Sequence, residues 1–358
     1  RQVATSMSSK LLTRKLLEWY DQTKREMPWR NQGDPYRVWL SEIMLQQTQV
    51  TTVIDYYHRW LKRFPSIKDV ASASIDEVLK YWEGLGYYSR ARNFHQSCQQ
   101  IINDGGRIPK GLKEFESLRG VGPYIAAAVQ SIAFNIPVSV VDGNVNRVVS
   151  RLNTYKKTPL KNKKAIQSFM DQILDQNRPG DFNQAMMDLG RYICKPRNPL
   201  CDECPISGSC KAHKISAESS YPVKTTKKPR PHYDVAVGII WDNQKLLITK
   251  RKEDGLLGGL WEFPGGKIKK KESALKAIKR EIKEELSIQI KTKKIITKVD
   301  HHYSHFSVTI NAIHCLYDGG AIKLNGPTDY KWIELPKLSL YAFPKASTKL
   351  FKSIEALT

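Results

Sequence analysis

The chain is short of cysteine and of acid. Of its 358 residues only 6 are cysteine, and 35 Asp and Glu stand against 58 Lys and Arg. So few cysteines over such a length exclude a secreted module stapled by disulfides. The deficit of acid leaves a formal net charge of +23. Such an excess repels itself and calls for a polyanionic partner, nucleic acid first and an anionic membrane surface second. No apolar run of signal-peptide length occurs in Arg1-Gln2-Val3-Ala4-Thr5-Ser6-Met7, and Met7 offers one reading of the natural start. A charge-free stretch over 120–141 is broken by Gly120, Gly122, Pro123, Gln130, Asn135 and Pro137, so it reads as loop, helix and loop and not as a membrane span. What is plentiful is apolar surface. At 41% hydrophobic residues the chain builds real cores, and its length suggests about two domains.

The first two hundred residues carry helical periodicity. Asp34-Pro35 reads as an N-cap with proline in the first turn, followed by a stripe of Tyr36, Trp39, Leu40, Ile43 and Met44, with Glu42, Gln46 and Gln49 off it. A second helix follows Gly122-Pro123 through Ile125, Ala128, Val129 and Ile132. A third starts near Asp142 and carries Val145, Val148, Val149 and Leu152. Small polar residues from Ser216 to Ser220, then Lys224-Thr225-Thr226-Lys227-Lys228-Pro229-Arg230-Pro231, predict an extended linker over 215–231. Beyond it, 235–240 and 245–249 read as strands joined at Asp242-Asn243. Lys271 to Leu286 reads as a charged amphipathic helix, and strands follow near 306–316 and 329–334.

Cys194, Cys201, Cys204 and Cys210 lie in a C-x6-C-x2-C-x5-C spacing. Four thiolates on one short loop suit a tetrahedral metal or a [4Fe–4S] cluster. Zinc modules usually pair two C-x2-C knuckles, and here only Cys201 and Cys204 form one. The spacing resembles the iron–sulfur loop of the endonuclease III superfamily of DNA glycosylases. Cys98 and Cys315 stand apart and read as ordinary buried thiols.

Leu118-Arg119-Gly120-Val121-Gly122-Pro123-Tyr124 resembles the helix–hairpin–helix of the same superfamily. Its glycines allow a tight turn, and amides at the next helix start can hold a DNA phosphate. About twenty residues on comes Val141-Asp142-Gly143-Asn144. Taken singly, Asp142 serves equally well as a helix N-cap and Glu42 as a solvated helix residue. Together with Pro28-Trp29-Arg30, the run Trp39 to Val50, Gly84-Leu85-Gly86-Tyr87-Tyr88-Ser89-Arg90 and Phe182 to Gly190, the text from about residue 11 to the end resembles MutY-type adenine DNA glycosylases.

The resemblance implies roles. Breaking an adenine N-glycosidic bond needs an acid for the leaving base and a carboxylate for an oxocarbenium-like sugar. By resemblance Glu42 is the acid, Asp142 the stabiliser, and Tyr124 and Asn144 orient them. Trp29, Arg30 and Gln184 line the adenine pocket, while Leu45, Gln47 and Tyr87 wedge into the base stack around a flipped nucleotide. Trp29 and Tyr87 also fit ordinary core aromatics. Gly120 and Gly122 hold backbone phosphate, with a monovalent cation on the hairpin carbonyls, and Arg90, Arg92, Arg147 and Arg151 are expected on phosphates. Bifunctional relatives place a Schiff-base lysine where this chain has Tyr124, so a monofunctional enzyme without strand nicking is expected.

The C-terminal half resembles a Nudix fold. Gly266, Glu272, Arg280-Glu281, Glu284-Glu285 and Ile288 match the Nudix box, with Ser287 in place of its second glycine. A solvated helix rich in Glu/Lys pairs is the plainer account of the same residues. Tyr303-Ser304-His305 resembles the loop by which MutY-like proteins read 8-oxoguanine. His301 and His302 make a metal site a competing idea, although neighbouring strand residues point apart. The expectation is therefore an all-α helix–hairpin–helix glycosylase domain over 8–214, a linker over 215–231, and an α+β Nudix-like domain over 232–358. It is expected to be a monomeric base-excision enzyme for adenine opposite 8-oxoguanine or guanine in double-stranded DNA. A [4Fe–4S] cluster, no nucleotide cofactor, no membrane contact and an intracellular, nucleoid-associated prokaryotic setting complete it. The rival readings are a Nudix hydrolase of oxidised nucleotides and a non-catalytic damage binder.

Overall fold

A computed structural model describes residues 2–30, 33–224, 229–255 and 257–357, without the side chains of 2–8. The chain forms two compact units, Arg1–Lys68 with Ser97–Lys227 and Asp69–Gln96 with Lys228–Thr358.

The first unit is helical. In the helix Pro35–Leu45 the Asp34 carboxylate accepts the Tyr36 N–H, and proline fills the first turn. The helix buries its apolar stripe and Glu42 with it. The helix Pro123–Phe134 begins at Gly122 and ends on Asn135 in the left-handed region. Asp142 caps the helix Gly143–Asn153 by accepting the Val145 N–H at 2.7 Å. The helix Pro179–Asp188 runs into a π-helical turn, Leu189–Ile193, that delivers the chain to Cys194. Leu16, Ala128, Val140, Val149, Phe182, Met186 and Leu189 form the core these helices share. Asn183 is buried in it and stitches three segments. It accepts the Val140 N–H at 3.0 Å and donates to Ser131 Oγ at 2.9 Å and the Val138 carbonyl at 2.8 Å.

The second unit is built on a mixed sheet of β1 (His232–Asp242), β2 (Lys245–Lys250), β3 (Trp261–Glu262), β4 (Gly265–Lys267), β5 (Ile290–His302), β6 (Ser307–Tyr317) and β7 (Asp329–Glu334). Its order is β3-β2-β1-β6-β5, with β4 on β1 and β7 on β2. β1 and β6 run parallel, Val235 opposite Ile310, and β5 closes one edge antiparallel to β6. The helix Ala274–Leu286 lays Ala277, Ile278, Ile282 and Leu286 on one face of the sheet, while Phe343, Leu350 and Ile354 cover the other. Among the described residues no helix is long and apolar enough to cross a membrane.

Three features differ from expectation. Strand β5 escaped the sequence pattern because Lys291, Lys293, Lys294 and Lys298 break its alternation, as suits a protected sheet edge. The expected linker is not extended throughout. Glu218–Ser220 forms a 3₁₀ turn and Glu218 binds His213 Nδ1 at 2.6 Å. Residues 225–228 of that linker lie outside the described residues. Finally, residues 69–96 group with the C-terminal half. Arg92 donates to the Gly258 and Gly255 carbonyls, Lys250 pairs with Asp76 at 2.6 Å, and Glu83 accepts the Phe343 N–H at 2.8 Å.

Candidate active site and iron–sulfur loop

Glu42 sits on the buried face of its helix at 6% exposure, so it is no solvated helix residue. The Tyr124 hydroxyl, from the helix behind the hairpin, donates to its Oε2. Burial pushes the Glu42 carboxyl above the usual carboxylate range, partly offset by the Tyr124 hydrogen bond. Burial also raises Asp142, against the Val145 N–H and the Asn144 side chain, which donates to its Oδ2 at 2.9 Å. Two carboxyls held in a dry setting, one touching a phenol and one a helix N-terminus, have the makings of an acid and an anion. Asp142 is thus both N-cap and site residue.

Glu42 faces a cavity of about 30 Å³, the room of roughly one or two waters. Trp29, Arg30, Leu45, Tyr124 and Gln184 line it with Met187, Asp188 and Arg191. A purine enters only if these side chains part. Trp29 is buried and packs edge-on against Tyr57 at 5.3 Å between ring centres. Arg30 is held by Asp188 at 2.8 Å. Among the described residues the Gln184 amide makes a long 3.3 Å bond to the Gly180 carbonyl.

Gln47 is exposed just past the helix that carries Glu42, with φ +58°. Tyr87, in the second unit, has φ +48°. Both non-glycine residues sit in the left-handed region, where side chains are costly and functional loops are over-represented. At the hairpin Gly120 takes φ +77°, a turn only glycine makes without strain. Open space faces Gly122 at the start of the next helix.

Cys194, Cys201, Cys204 and Cys210 converge on one small cavity, all four thiols free. Arg151 donates to Cys194 Sγ at 3.3 Å, a cation set against the sulfur that would carry negative charge as a ligand. Four thiols around one space, one backed by a buried arginine, fit an iron–sulfur cluster. Cys201, His213 and Glu218 offer a second trio within 4.8 Å, yet Glu218 is already committed to His213.

Family models match in three places. The description "HhH-GPD superfamily base excision DNA repair protein" covers residues 40–175, "Iron-sulfur binding domain of endonuclease III" covers 194–210, and "NUDIX domain" covers 236–353. The adenine DNA glycosylase of Rattus norvegicus is 32% identical over 96% of this chain and 77% of its own length. That of Buchnera aphidicola subsp. Baizongia pistaciae is 31% identical over 98% of both. This chain belongs to the adenine DNA glycosylase family. A thermostable thymine-DNA glycosylase of known structure superposes at TM-score 0.55 with 29% identity, covering 59% of this chain and 99% of that one.

The family's helical and Nudix-like halves and its cluster loop are thus accounted for, and Cys194, Cys201, Cys204 and Cys210 are the residues that hold the [4Fe–4S] cluster. The arginines expected on phosphates are a correction. Arg151 is 2% exposed and donates to the carbonyls of Glu218, Tyr221, Lys195 and Pro196. Arg147 donates to Gly190 O, to Cys194 O at 2.7 Å and to Asn144 Oδ1 at 2.9 Å. Arg90 caps the carbonyls of Leu85, Gly86 and Tyr87, and burial pulls it down to about 10. Arg92 is spent on Gly255 and Gly258. Each is spent on main-chain carbonyls of its own unit.

In the second unit a cavity of about 190 Å³ brings Tyr87 together with Tyr303, Ser304 and His305. Tyr303–Phe306 is the turn between β5 and β6, closed by the Tyr303 N–H on the Phe306 carbonyl at 2.8 Å. Tyr303 stacks on Phe306 at 4.8 Å, and His305 meets the Tyr87 ring edge-on at 6.3 Å. Ser304 and His305 are exposed at the mouth. In the Nudix box Arg280 clamps Glu272, Glu281 and Glu284, while burial drives Glu285 up to about 7.

Sequence reading missed Asp188, Met187 and Arg191 at the catalytic cavity. Their signal was weak, because the π-turn shifts the register in which Arg191 would be placed on a regular helix.

Proposed function

We propose that the protein excises adenine paired with 8-oxoguanine or guanine from double-stranded DNA, as a monofunctional base-excision enzyme acting as a monomer within the cytoplasm. The buried pair of Glu42 on Tyr124 and Asp142 on Asn144 carries the reading. Glu42, kept protonated by burial, gives its proton to adenine N7. The bond from C1′ to the base then breaks, its electron pair leaving with adenine. Asp142 remains ionised against the sugar cation, and water adds at C1′ and sheds a proton, leaving an abasic site. Asn144 and Tyr124 fix the two carboxyls. Trp29, Arg30 and Gln184 receive the base once Leu45, Gln47 and Tyr87 have parted the stack. Tyr303, Ser304 and His305 hold 8-oxoguanine. The hairpin at Gly120 and Gly122 holds phosphate, with a monovalent cation on its carbonyls. The cluster orders its loop and enters no chemical step. No lysine lines the cavity among the described residues, so strand cleavage by an amine is not expected.

The test is single-turnover excision on a duplex with one A:8-oxoguanine pair, analysed with and without hot alkali. Breaks that need alkali support the proposal, and Glu42→Gln is expected to abolish them. Breaks without alkali overturn the monofunctional assignment, and excision by the Glu42→Gln enzyme at the original rate overturns the acid. One observation favours a second activity, hydrolysis of an oxidised nucleotide. A cleft of about 670 Å³ holds Tyr233, Phe306, Arg251, Glu262 and Glu285. Mg²⁺-dependent pyrophosphate release lost in Glu284→Gln tests it.

A further inference from the structure

Two carboxyls and two guanidiniums line the catalytic cavity. Glu42 and Asp188 line it, and Asp142 stands beside them on the next helix start. Of the nearby cations, Arg30 is spent on Asp188 at 2.8 Å. Arg147 is spent on two main-chain carbonyls and Asn144. Arg191 differs. It lines the cavity, keeps 29% of its side chain exposed, and lies 3.8 Å from Asp188 in a contact already won by Arg30.

Its mounting is rigid. The π-turn Leu189–Ile193 presses Gly190 so close to Asn144 that a Cβ there would lie 2.7 Å from Asn144 Cβ. Arg147 grips the Gly190 carbonyl, and the Arg25 guanidinium lies 3.9 Å over the Tyr192 ring. With both neighbours pinned, the guanidinium of Arg191 is directed into the pocket.

We propose that Arg191 is a positioning residue for adenine release, whose fixed positive charge sets the protonation of Glu42 and Asp142 together. This rests on the two-carboxylate reading above. Burial raises both carboxyls; the Tyr124 hydrogen bond on Glu42 and the Val145 and Asn144 hydrogen bonds on Asp142 oppose it first, and the Arg191 charge adds to both. The other groups facing the pair are Arg30, Tyr124, Arg147 and Asp188, from the loop after the first helix, the hairpin helix, the Asp142 helix and the helix that leads into the π-turn. None but Arg191 is a cation without a closer partner among the described residues. Its effect on the rate follows. Activity rises as Asp142 ionises and falls as Glu42 loses its proton, so removing the cation moves both limbs of the pH profile to higher pH. A group that only filled space would lower the rate and leave the limbs in place.

The experiment is single-turnover adenine release from an A:8-oxoguanine duplex across the working pH range, for the cluster-loaded wild type, Arg191→Met, Arg191→Lys and Glu42→Gln. Arg191→Met is expected to shift both limbs upward by roughly half a unit to one unit, and Arg191→Lys to keep them near the wild-type positions. Should Arg191→Met lose its cluster or fold, Arg191→Gln replaces it with the same expectation. Limbs that stay fixed or move apart overturn the inference. An active Glu42→Gln enzyme overturns the two-carboxylate reading instead, so the two failures are distinguishable.

Discussion

Replacing Arg151 by methionine separates a structural arginine from a DNA-binding one. The side chain is 2% exposed; it donates to the Lys195 carbonyl at 2.7 Å and shares its single Nε–H between the Glu218 and Tyr221 carbonyls at 3.0 Å, with longer contacts to Pro196 and Cys194 Sγ. Bonds from a charged donor contribute about 1.5–3 kcal/mol each. Relief of the buried charge and water entering the gap offset part of the loss, leaving a net cost of about 3–4 kcal/mol. In a helical unit of this size that is a fall in Tm of roughly 6–15 °C. The assay is thermal unfolding of the cluster-loaded protein followed by far-ultraviolet circular dichroism, with the cluster's visible absorbance recorded alongside. The slope of DNA affinity against salt is measured below the melting range. The cluster is expected to be lost more readily and the salt slope to stay as in wild type. A Tm within about 2 °C of wild type, with a slope shallower by about 0.9, refutes the reasoning and returns Arg151 to the phosphates.

Gly190→Ala places a methyl against Asn144 and is expected to slow adenine release at least tenfold while costing only about 1–3 kcal/mol in stability, read by single-turnover rates and urea unfolding. Asn183→Ala leaves a buried N–H and two acceptors unpaired, and its urea midpoint is expected to fall by the equivalent of about 2–4 kcal/mol. Burial holds the Glu285 carboxyl up to about 7, above the 4.5 of an exposed glutamate. Its contribution to stability is therefore fully present below pH 4.5 and lost as pH rises through about 7. Glu285→Gln is expected to remove that dependence and to stabilise the second unit at alkaline pH by about 2–4 kcal/mol, measured as Tm against pH. An unchanged pH dependence would show that Glu285 titrates normally.

Local rules were legible in the sequence. Asp34-Pro35 and Asp142 announce helix starts because a cap acts within three residues, and the structure has both. The four-cysteine spacing announces its loop because ligands that must share one centre are constrained along the chain. The residue text from Pro28 to Gly190 carried the family. What the tertiary structure decided are matters of partner and burial, which no short pattern encodes. Glu42 lies off the apolar stripe yet is buried, because a second helix brings Tyr124 over it. Arg147 and Arg151 looked like phosphate ligands, since a positive charge at helical spacing carries no sign of the carbonyls that will meet it 43 to 70 residues on. Strand β5 and the grouping of residues 69–96 with the C-terminal half depend on pairings across the chain. Sequence determined which chemistry is present. Folding decided which charges are spent on structure and which, Arg191 among them, are left to act.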